Sequence, residues 1–326
     1  MFRDHLRRSP AATGNRSLRV IVNKESSNYN SIDIRSTHRS IYSYNGNGFL
    51  MKTDMFILGG GLSGVSAAMG AARCGVEVTL VERNYILGGA CTASLVNPLQ
   101  TFHAPAGRII GGTAQEMVRA MVGLKASPGH IPDPIGFASS VTPVDPDVLK
   151  IFLTAWLEKN GVKLLLGHSL REVRTEGGAI SKVTIEDRSG NTSDISAGAY
   201  IDASGDGDLA HMAGAAMEID PNCQPMTLIF VMDRVDCGAV VEYQKSNPGE
   251  FYMPADISVL DRGYPGVSGF FSHVRNARDE GRLNVMRDRL LFFGTTRPGE
   301  VTINTSRVAG FHGLSGGDLS EARKPP

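Results

Sequence analysis

Residues 57–64 read Ile57-Leu58-Gly59-Gly60-Gly61-Leu62-Ser63-Gly64. The spaced glycines follow a short apolar run, typical of a buried parallel strand, and precede a small-residue stretch that predicts a helix. Gly59 permits a tight turn, Gly61 lets a ligand touch the backbone, and Gly64 allows close packing of helix on strand. The pattern therefore predicts a strand–turn–helix unit that binds a pyrophosphate at the helix N-terminus.

An acidic residue and a second glycine pair follow this unit. Residues 76–81 predict a second strand that ends at Glu82, 18 residues after Gly64 and close to the ~20 expected for an acid that accepts hydrogen bonds from a ribose. A carboxylate there would repel a 2′-phosphate, so an adenosine without that phosphate is favoured. Gly88-Gly89 comes soon afterwards and lets backbone run beside a bulky ligand.

Composition narrows the functional classes. The 326 residues are enough for about two domains, and the 33 basic and 33 acidic residues cancel, which argues against nucleic-acid binding or general attraction to a membrane surface. No apolar run reaches the ~18 residues of a membrane span. The four cysteines lack the spacing of zinc or iron–sulfur ligands or of a disulfide framework, which favours a reducing compartment and a cytoplasmic protein.

The chain divides into three predicted segments. The first fifty residues hold eight basic and only three acidic residues. Residues 1–52 predict a disordered leader, which is a disordered tail, upstream sequence from a misassigned start or a transit peptide. Residues 53–214 predict an α/β nucleotide-binding domain, a three-layer Rossmann-like fold with an inserted β-meander at about 171–196. Residues 215–326 predict a partial α+β substrate domain, with a strand at 226–232, a helix at 238–246 and strands near 289–293 and 300–304.

Two helix starts carry capping signals. Thr113 and Glu116 have the spacing of a capping box before an apolar helical face. Asp145 followed by Pro146 predicts the N-terminus of another helix, which ends at Gly161.

A strand late in the nucleotide-binding domain indicates which of two dinucleotides, NAD or FAD, the domain binds. After the meander, a strand leads into Ala203-Ser204-Gly205-Asp206. An interrupted nucleotide domain with a second small-residue turn differs from the uninterrupted plan of simple NAD dehydrogenases, and so favours FAD.

These stretches resemble the FAD-dependent oxidoreductases of the glutathione-reductase-like superfamily, in the branch that includes relatives of the FAD-carrying chain of heterodisulfide reductase. The resemblance covers residues 54–322 and also includes 224–227 and 302–307. It implies an FAD site in which the first glycine turn holds the pyrophosphate, Glu82 the AMP ribose and the backbone near Val173 the adenine. The residues implied to contact the cofactor are Gly59, Gly61, Leu62, Ser63, Gly64, Glu82, Arg83, Gly88, Gly89, Thr92, Val173, Ala203, Ser204, Gly205 and Asp206.

One departure from the family affects the expected activity. Members usually continue into a C-terminal Gly-Ala-rich segment that lies against the flavin, and this sequence ends at Lys324-Pro325-Pro326. We expect a truncated copy, or a fragment whose remainder a second chain supplies. The heterodisulfide reductase relatives also carry iron–sulfur clusters, but the cysteine spacing here predicts none.

Catalytic residues are weakly indicated. His103 follows the second glycine pair and is a candidate for proton exchange beside the flavin, although a lone histidine is more often a structural donor. Cys91 is a candidate redox thiol, with packing as the alternative. Arg108 is a candidate for binding an anionic substrate, with surface exposure as the alternative.

The leading functional prediction is an FAD-dependent oxidoreductase that moves hydride or electrons between a small organic substrate and the flavin. An electron-transfer partner is compatible with it. The alternatives are a nucleotide-binding remnant without turnover and an NAD-dependent dehydrogenase.

Overall fold

The computed structural model describes residues 50–220, 222–311, 313 and 316–322. Residues 1–49 of the predicted leader lie outside the described residues. Its last three positions, 50–52, belong to the first strand of the fold instead. The strands are β1 (Leu50–Leu58), β2 (Val78–Glu82), β3 (Leu99–Gln100), β4 (His103–Ala104), β5 (Gly107–Arg108), β6 (Val141–Thr142), β7 (Lys163–Leu166), β8 (His168–Glu176), β9 (Ala179–Asp187), β10 (Thr192–Asp202), β11 (Phe230–Met232), β12 (Gly266–Gly269), β13 (Leu290–Gly294) and β14 (Val301–Ile303).

Seven helices accompany these strands in the described part of the chain. They are α1 (Leu62–Arg73), α2 (Gly112–Gly123), α3 (Pro146–Lys159), α4 (Asp208–Met212), α5 (Cys237–Ser246), α6 (Phe271–Asp279) and α7 (Gly316–Ala322).

A six-stranded sheet in the order β7-β2-β1-β10-β9-β8 organises the first part of the chain. Strands β7, β2, β1 and β10 are parallel, whereas β8, β9 and the start of β10 form the predicted antiparallel meander. The meander is continuous with the core sheet, because β10 pairs with both β9 and β1. Leu58 lies opposite Val81 on one side and Asp202 on the other, so β1, β2 and β10 end side by side.

Buried side chains cover both faces of this sheet. On one face, Leu80 and Ile57 pack with α1, α2 and α3, including Leu153 and Trp156. On the other face, Phe56 and its neighbours pack with residues of the meander and of α4. This arrangement confirms the α/β class and gives three layers.

A second sheet, in the order β11-β14-β13-β12, is antiparallel throughout. Strands β13 and β14 and helix α5 match the predictions, whereas β12 and α6 were not predicted. Residues 131–141 belong to the predicted first domain by sequence, yet Ile135 and Val141 pack with Tyr264 and Phe293 of this second region.

The two capping signals have different outcomes. Asp145 caps α3 as predicted, since its carboxylate accepts hydrogen bonds from the N–H groups of Asp147 and Val148. The capping box is wrong: α2 begins at Gly112 behind Gly111, without a side-chain cap. The Glu116 carboxylate pairs instead with Arg73 of α1.

Replacement of Asp145 tests the cap. We expect Asp145→Ala to lower the free energy of unfolding by about 1–2 kcal/mol, because two helical N–H groups lose their acceptor. Asp145→Asn keeps an acceptor and loses only the ion pair with half-exposed Arg297, so it should cost less than about 1 kcal/mol. Urea denaturation measures both, and equal losses would contradict the cap as the main contribution.

Candidate functional site

The first glycine turn lies at the carboxyl end of β1, where two of its glycines are required by packing. Gly59 has φ of 104°, and a Cβ on it would lie 2.1 Å from the Ala203 carbonyl oxygen. A Cβ on Gly64 would lie 1.9 Å from the Gly59 carbonyl oxygen. The turn thus brings β1, α1 and the end of β10 together, as the glycine pattern predicts.

Gly61 faces open space. It precedes α1 with extended backbone, and a Cβ on it would meet no atom of the described protein within 4 Å. The first turn of α1 holds no acidic residue, and its N-cap supplies no side-chain hydrogen bond. The N–H groups at this helix start thus receive no side-chain acceptor, which is the arrangement found where a helix N-terminus binds an anion. Of the next two predicted contacts, Ser63 is exposed, whereas Leu62 lines an apolar cavity of about 180 Å³ beside α2.

The second glycine turn lies directly against the first. Gly88 donates its N–H to the Gly60 carbonyl at 2.8 Å, and a Cβ on Gly89 would lie 2.9 Å from the Gly61 Cα. The Thr92 hydroxyl is buried and donates to the Leu87 carbonyl at 2.6 Å, so it closes this turn. The structure therefore brings the two glycine turns together.

Glu82 connects the same two turns. One carboxylate oxygen accepts the Gly60 N–H at 2.7 Å, and the other accepts the backbone and side-chain N–H groups of Asn84, both at 2.7 Å. A carboxylate offers about four acceptor positions, so one remains, on the oxygen that faces Gly60. The buried Glu82 therefore holds the turn and retains one position for a ligand hydroxyl.

The Ala203–Asp208 turn is built around Asp202. The carboxylate of Asp202 accepts the N–H and the hydroxyl of Ser204 and the N–H of Ala210. The Ser204 hydroxyl in turn accepts the N–H groups of Gly207 and Asp208. Burial acts to raise the pKa of Asp202, but hydrogen bonds from Ser204, Ala210 and Leu209 outweigh it, so the pKa lies below its ordinary value.

A cavity of about 340 Å³ opens at the carboxyl ends of β1 and β2. Burial and the nearby Asp206 carboxylate raise the pKa of Asp208 at its edge, while Arg83 opposes this rise. The lining residues are Leu58, Gly59, Val81, Glu82, Arg83, His168, Ser169, Leu170, Ser204, Asp208, His211 and Met212.

Four of the fifteen predicted contacts line this cavity, namely Gly59, Glu82, Arg83 and Ser204. Val173 packs beside the core of the opposite face, and β8 reaches the cavity earlier, at His168–Leu170. Gly205 and Asp206 are exposed on the turn outside it.

The predicted candidate His103 lies in a polar cluster. Its Nδ1 is 2.9 Å from the Ser140 hydroxyl, and its ring contacts the His130 ring edge-on. His130 donates from Nε2 to the Gln115 amide oxygen at 2.9 Å and accepts the Thr142 hydroxyl at Nδ1. Sequence reasoning missed His130, because an isolated histidine in a proline-rich loop carries no spacing signal.

Cys91 is not a reactive thiol. Its side chain is buried in the core beside α1, and burial raises the pKa of the thiol to about 12. Because the thiolate is the reactive form, packing is its role. All four cysteines are free, and the described residues hold no cluster of three or more His, Cys, Asp or Glu side chains suited to a metal ion. Within the same residues, no helix is long and apolar enough to cross a membrane.

Replacement of Asp202 tests the second turn. A carboxylate with a lowered folded-state pKa stabilises the fold above its unfolded pKa of about 3.9, and this stabilisation is lost as pH falls through the lower folded value. We expect Asp202→Asn to cost about 1–3 kcal/mol at pH 7, with the deficit shrinking below about pH 4. Exposed Asp206→Asn is the control in the same urea titrations, and a deficit that does not change with pH would contradict this role.

Comparison with known proteins places these features in a family. The chain matches the family described as FAD dependent oxidoreductase over residues 54–324. No curated protein matches it significantly.

Two solved structures are similar to this chain at low sequence identity, and the one with a TM-score above 0.5 shares its fold. The FAD-dependent chondrochloren halogenase CndH, from a myxobacterium, is 15% identical with a TM-score of 0.52, and the match covers 84% of this chain and 55% of that one. A geranylgeranyl bacteriochlorophyll reductase-like protein from Thermoplasma acidophilum is also 15% identical, with a TM-score of 0.48 and coverage of 84% and 61%. The chain thus spans less than two thirds of the length of either protein.

The glycine turns, the buried acid after β2 and the turn after β10 all lie within the matched residues. This chain belongs to the FAD-dependent oxidoreductase family.

Proposed function

We propose that the chain binds FAD along the carboxyl edge of the six-stranded sheet and transfers hydride or electrons between the flavin and a small organic substrate. The observation that carries this proposal is the open space above Gly61, where the two glycine turns meet. A Cβ on Gly89 would lie 2.9 Å from the Gly61 Cα, so the second turn can lie this close to Gly61 only with glycine at position 89.

The pyrophosphate is proposed to lie against Gly61 and the start of α1. Free N–H groups and the positive end of the helix dipole favour an anion there. Ser63 is exposed on this first turn, and Gly88 and Gly89 border the approach from the other side. In this proposal Thr92 acts by closing the second turn.

The adenosine is proposed to occupy the cavity of about 340 Å³, a volume within the ordinary range of small-ligand sites. The remaining acceptor position of Glu82 would take one ribose hydroxyl, with Arg83 at the same wall. We place the adenine against β8 at His168–Leu170, a few residues before the predicted Val173. Ala203 and Ser204 would pass the cofactor at the second turn, with Gly205 and Asp206 outside it.

The bound flavin would supply the hydride chemistry, and the protein would position it and handle protons. His103 is the proposed proton-exchanging residue. With its Nδ1–H donating to the Ser140 hydroxyl, the ring is held by one nitrogen and leaves the other free to accept a proton. Its Nε2 is then the nitrogen that would exchange a proton with a substrate.

We further propose kinship with the heterodisulfide reductase branch of the superfamily, and an electron-transfer partner or second chain. The two stretches that carry this resemblance lie side by side: Met226 and Val308 exchange backbone hydrogen bonds, and the Leu228 N–H donates to the Ser306 hydroxyl.

The four free cysteines support a reducing, cytoplasmic setting.

Gly61→Val tests the pyrophosphate site. The new side chain has room in the folded protein, so the melting temperature should change little while FAD binding is lost through steric overlap. Gly70→Ala is the matched control, because Gly70 is exposed on the same helix with open space for a Cβ and should keep FAD. Fluorescence titration with FAD measures both. Retention of FAD by a folded Gly61→Val protein would remove this turn from the site.

Glu82→Gln tests the ribose contact. We expect the affinity for FAD to fall about 10- to 100-fold, the scale of a charged hydrogen bond. Because Glu82 also holds Gly60, thermal melting of the cofactor-free protein should be compared with Glu77→Gln, an exposed acid before β2. Unchanged FAD affinity would exclude Glu82 from the cofactor site.

A further inference from the structure

The β4–β5 hairpin places two basic residues directly opposite each other. His103 pairs with Arg108 across the antiparallel ladder, a register in which side chains on one face lie about 5 Å apart at Cβ. Arg108 is exposed, and His103 is anchored at Nδ1 by Ser140. The outer nitrogen of His103 and the guanidinium of Arg108 can therefore address one ligand.

The sequence around this hairpin is poor in acidic residues. Residues 84–132 contain a single acidic residue, Glu116, and its carboxylate is engaged by Arg73. Arg108 forms no ion pair with a carboxylate in the part of the chain that the structure describes. Burial lowers the pKa of His130 behind the hairpin, and both His103 and Arg108 add to this effect.

The hairpin is bordered by apolar side chains. Phe102 is buried with its ring centre 4.5 Å from that of His130, while Ile109 and Ile110 are exposed. Phe102 also lines the cavity of about 180 Å³ that reaches Leu62 and Ser66 at the start of α1. Phe102, the residue before His103, therefore shares a cavity with the helix that follows the first glycine turn.

We propose that Arg108 and His103 bind the carboxylate of an organic acid substrate whose apolar part lies against Phe102 and Ile109. The proposal rests on the proposed function for the reaction and adds the substrate class. An unpartnered guanidinium offers two parallel donors to a carboxylate, and an Nε2–H of His103 offers a third. In this arrangement the substrate carboxylate pairs with the Arg108 guanidinium, to which the described part of the chain supplies no carboxylate.

Benzoate and its neutral counterpart benzamide test the site without turnover. In nitrogen-15 histidine NMR of the purified protein, we expect benzoate to shift the His103 ring signals saturably and benzamide to leave them unchanged. Equal responses to the two compounds, or no response of His103, would overturn the proposal.

Three variants locate the binding by calorimetry. Arg108→Met and His103→Gln should each weaken benzoate binding about tenfold or more, the scale of a lost charge-assisted hydrogen bond. Arg119→Gln, an exposed cation on α2, should bind benzoate normally. Unchanged benzoate affinity in Arg108→Met would overturn the proposal.

FAD titration of the same variants separates the two hypotheses. Arg108→Met should retain FAD with unchanged affinity, and loss of FAD would assign this charge to the cofactor and overturn the substrate role. If the parent protein binds benzoate at His103 but never binds FAD, the proposed function fails and the anion site stands. If it binds FAD but not benzoate, only the anion site fails.

Discussion

Close contact between backbone segments at Gly59 is the constraint on which the site depends. The Gly59 N–H donates to the Val81 carbonyl, and the Ala203 N–H donates to the Leu58 carbonyl, so the ends of β2 and β10 are tied to the end of β1. Any side chain at Gly59 would overlap Ala203. Because three chain segments meet here without side chains between them, their following turns face one shared space.

Glu82 shows how structure and binding are combined in one residue. Burial of an isolated carboxylate is costly, and three hydrogen bonds from Gly60 and Asn84 offset that cost. The same bonds leave a single acceptor position on the carboxylate. In the function proposed above, that position would take a ribose hydroxyl, so one side chain would serve both the glycine turn and the nucleotide.

Local signals in the sequence predicted the parts of the fold that depend on local chemistry. The glycine turn, the acid after β2 and the Asp145 cap follow from residue type and spacing. The capping box predicted at Thr113 does not form, because the Glu116 carboxylate pairs with Arg73, 43 residues away in the sequence. Strand β12 was missed because its glycines look like turn residues, whereas they are required by packing: a Cβ on Gly266 would overlap Pro134, and one on Gly269 would overlap Phe251. The His103–Ser140 contact depends on long-range folding and left no pattern to find.

In the proposed function, the joined glycine turns form an FAD site. The most direct measurement is the visible absorption spectrum of the purified full-length chain, with chromatographic identification of the cofactor released on denaturation and, for colourless protein, a repeat after incubation with FAD. We expect a flavin spectrum and released FAD. Protein that stays colourless after incubation with FAD, or that releases NAD, would contradict the proposed function.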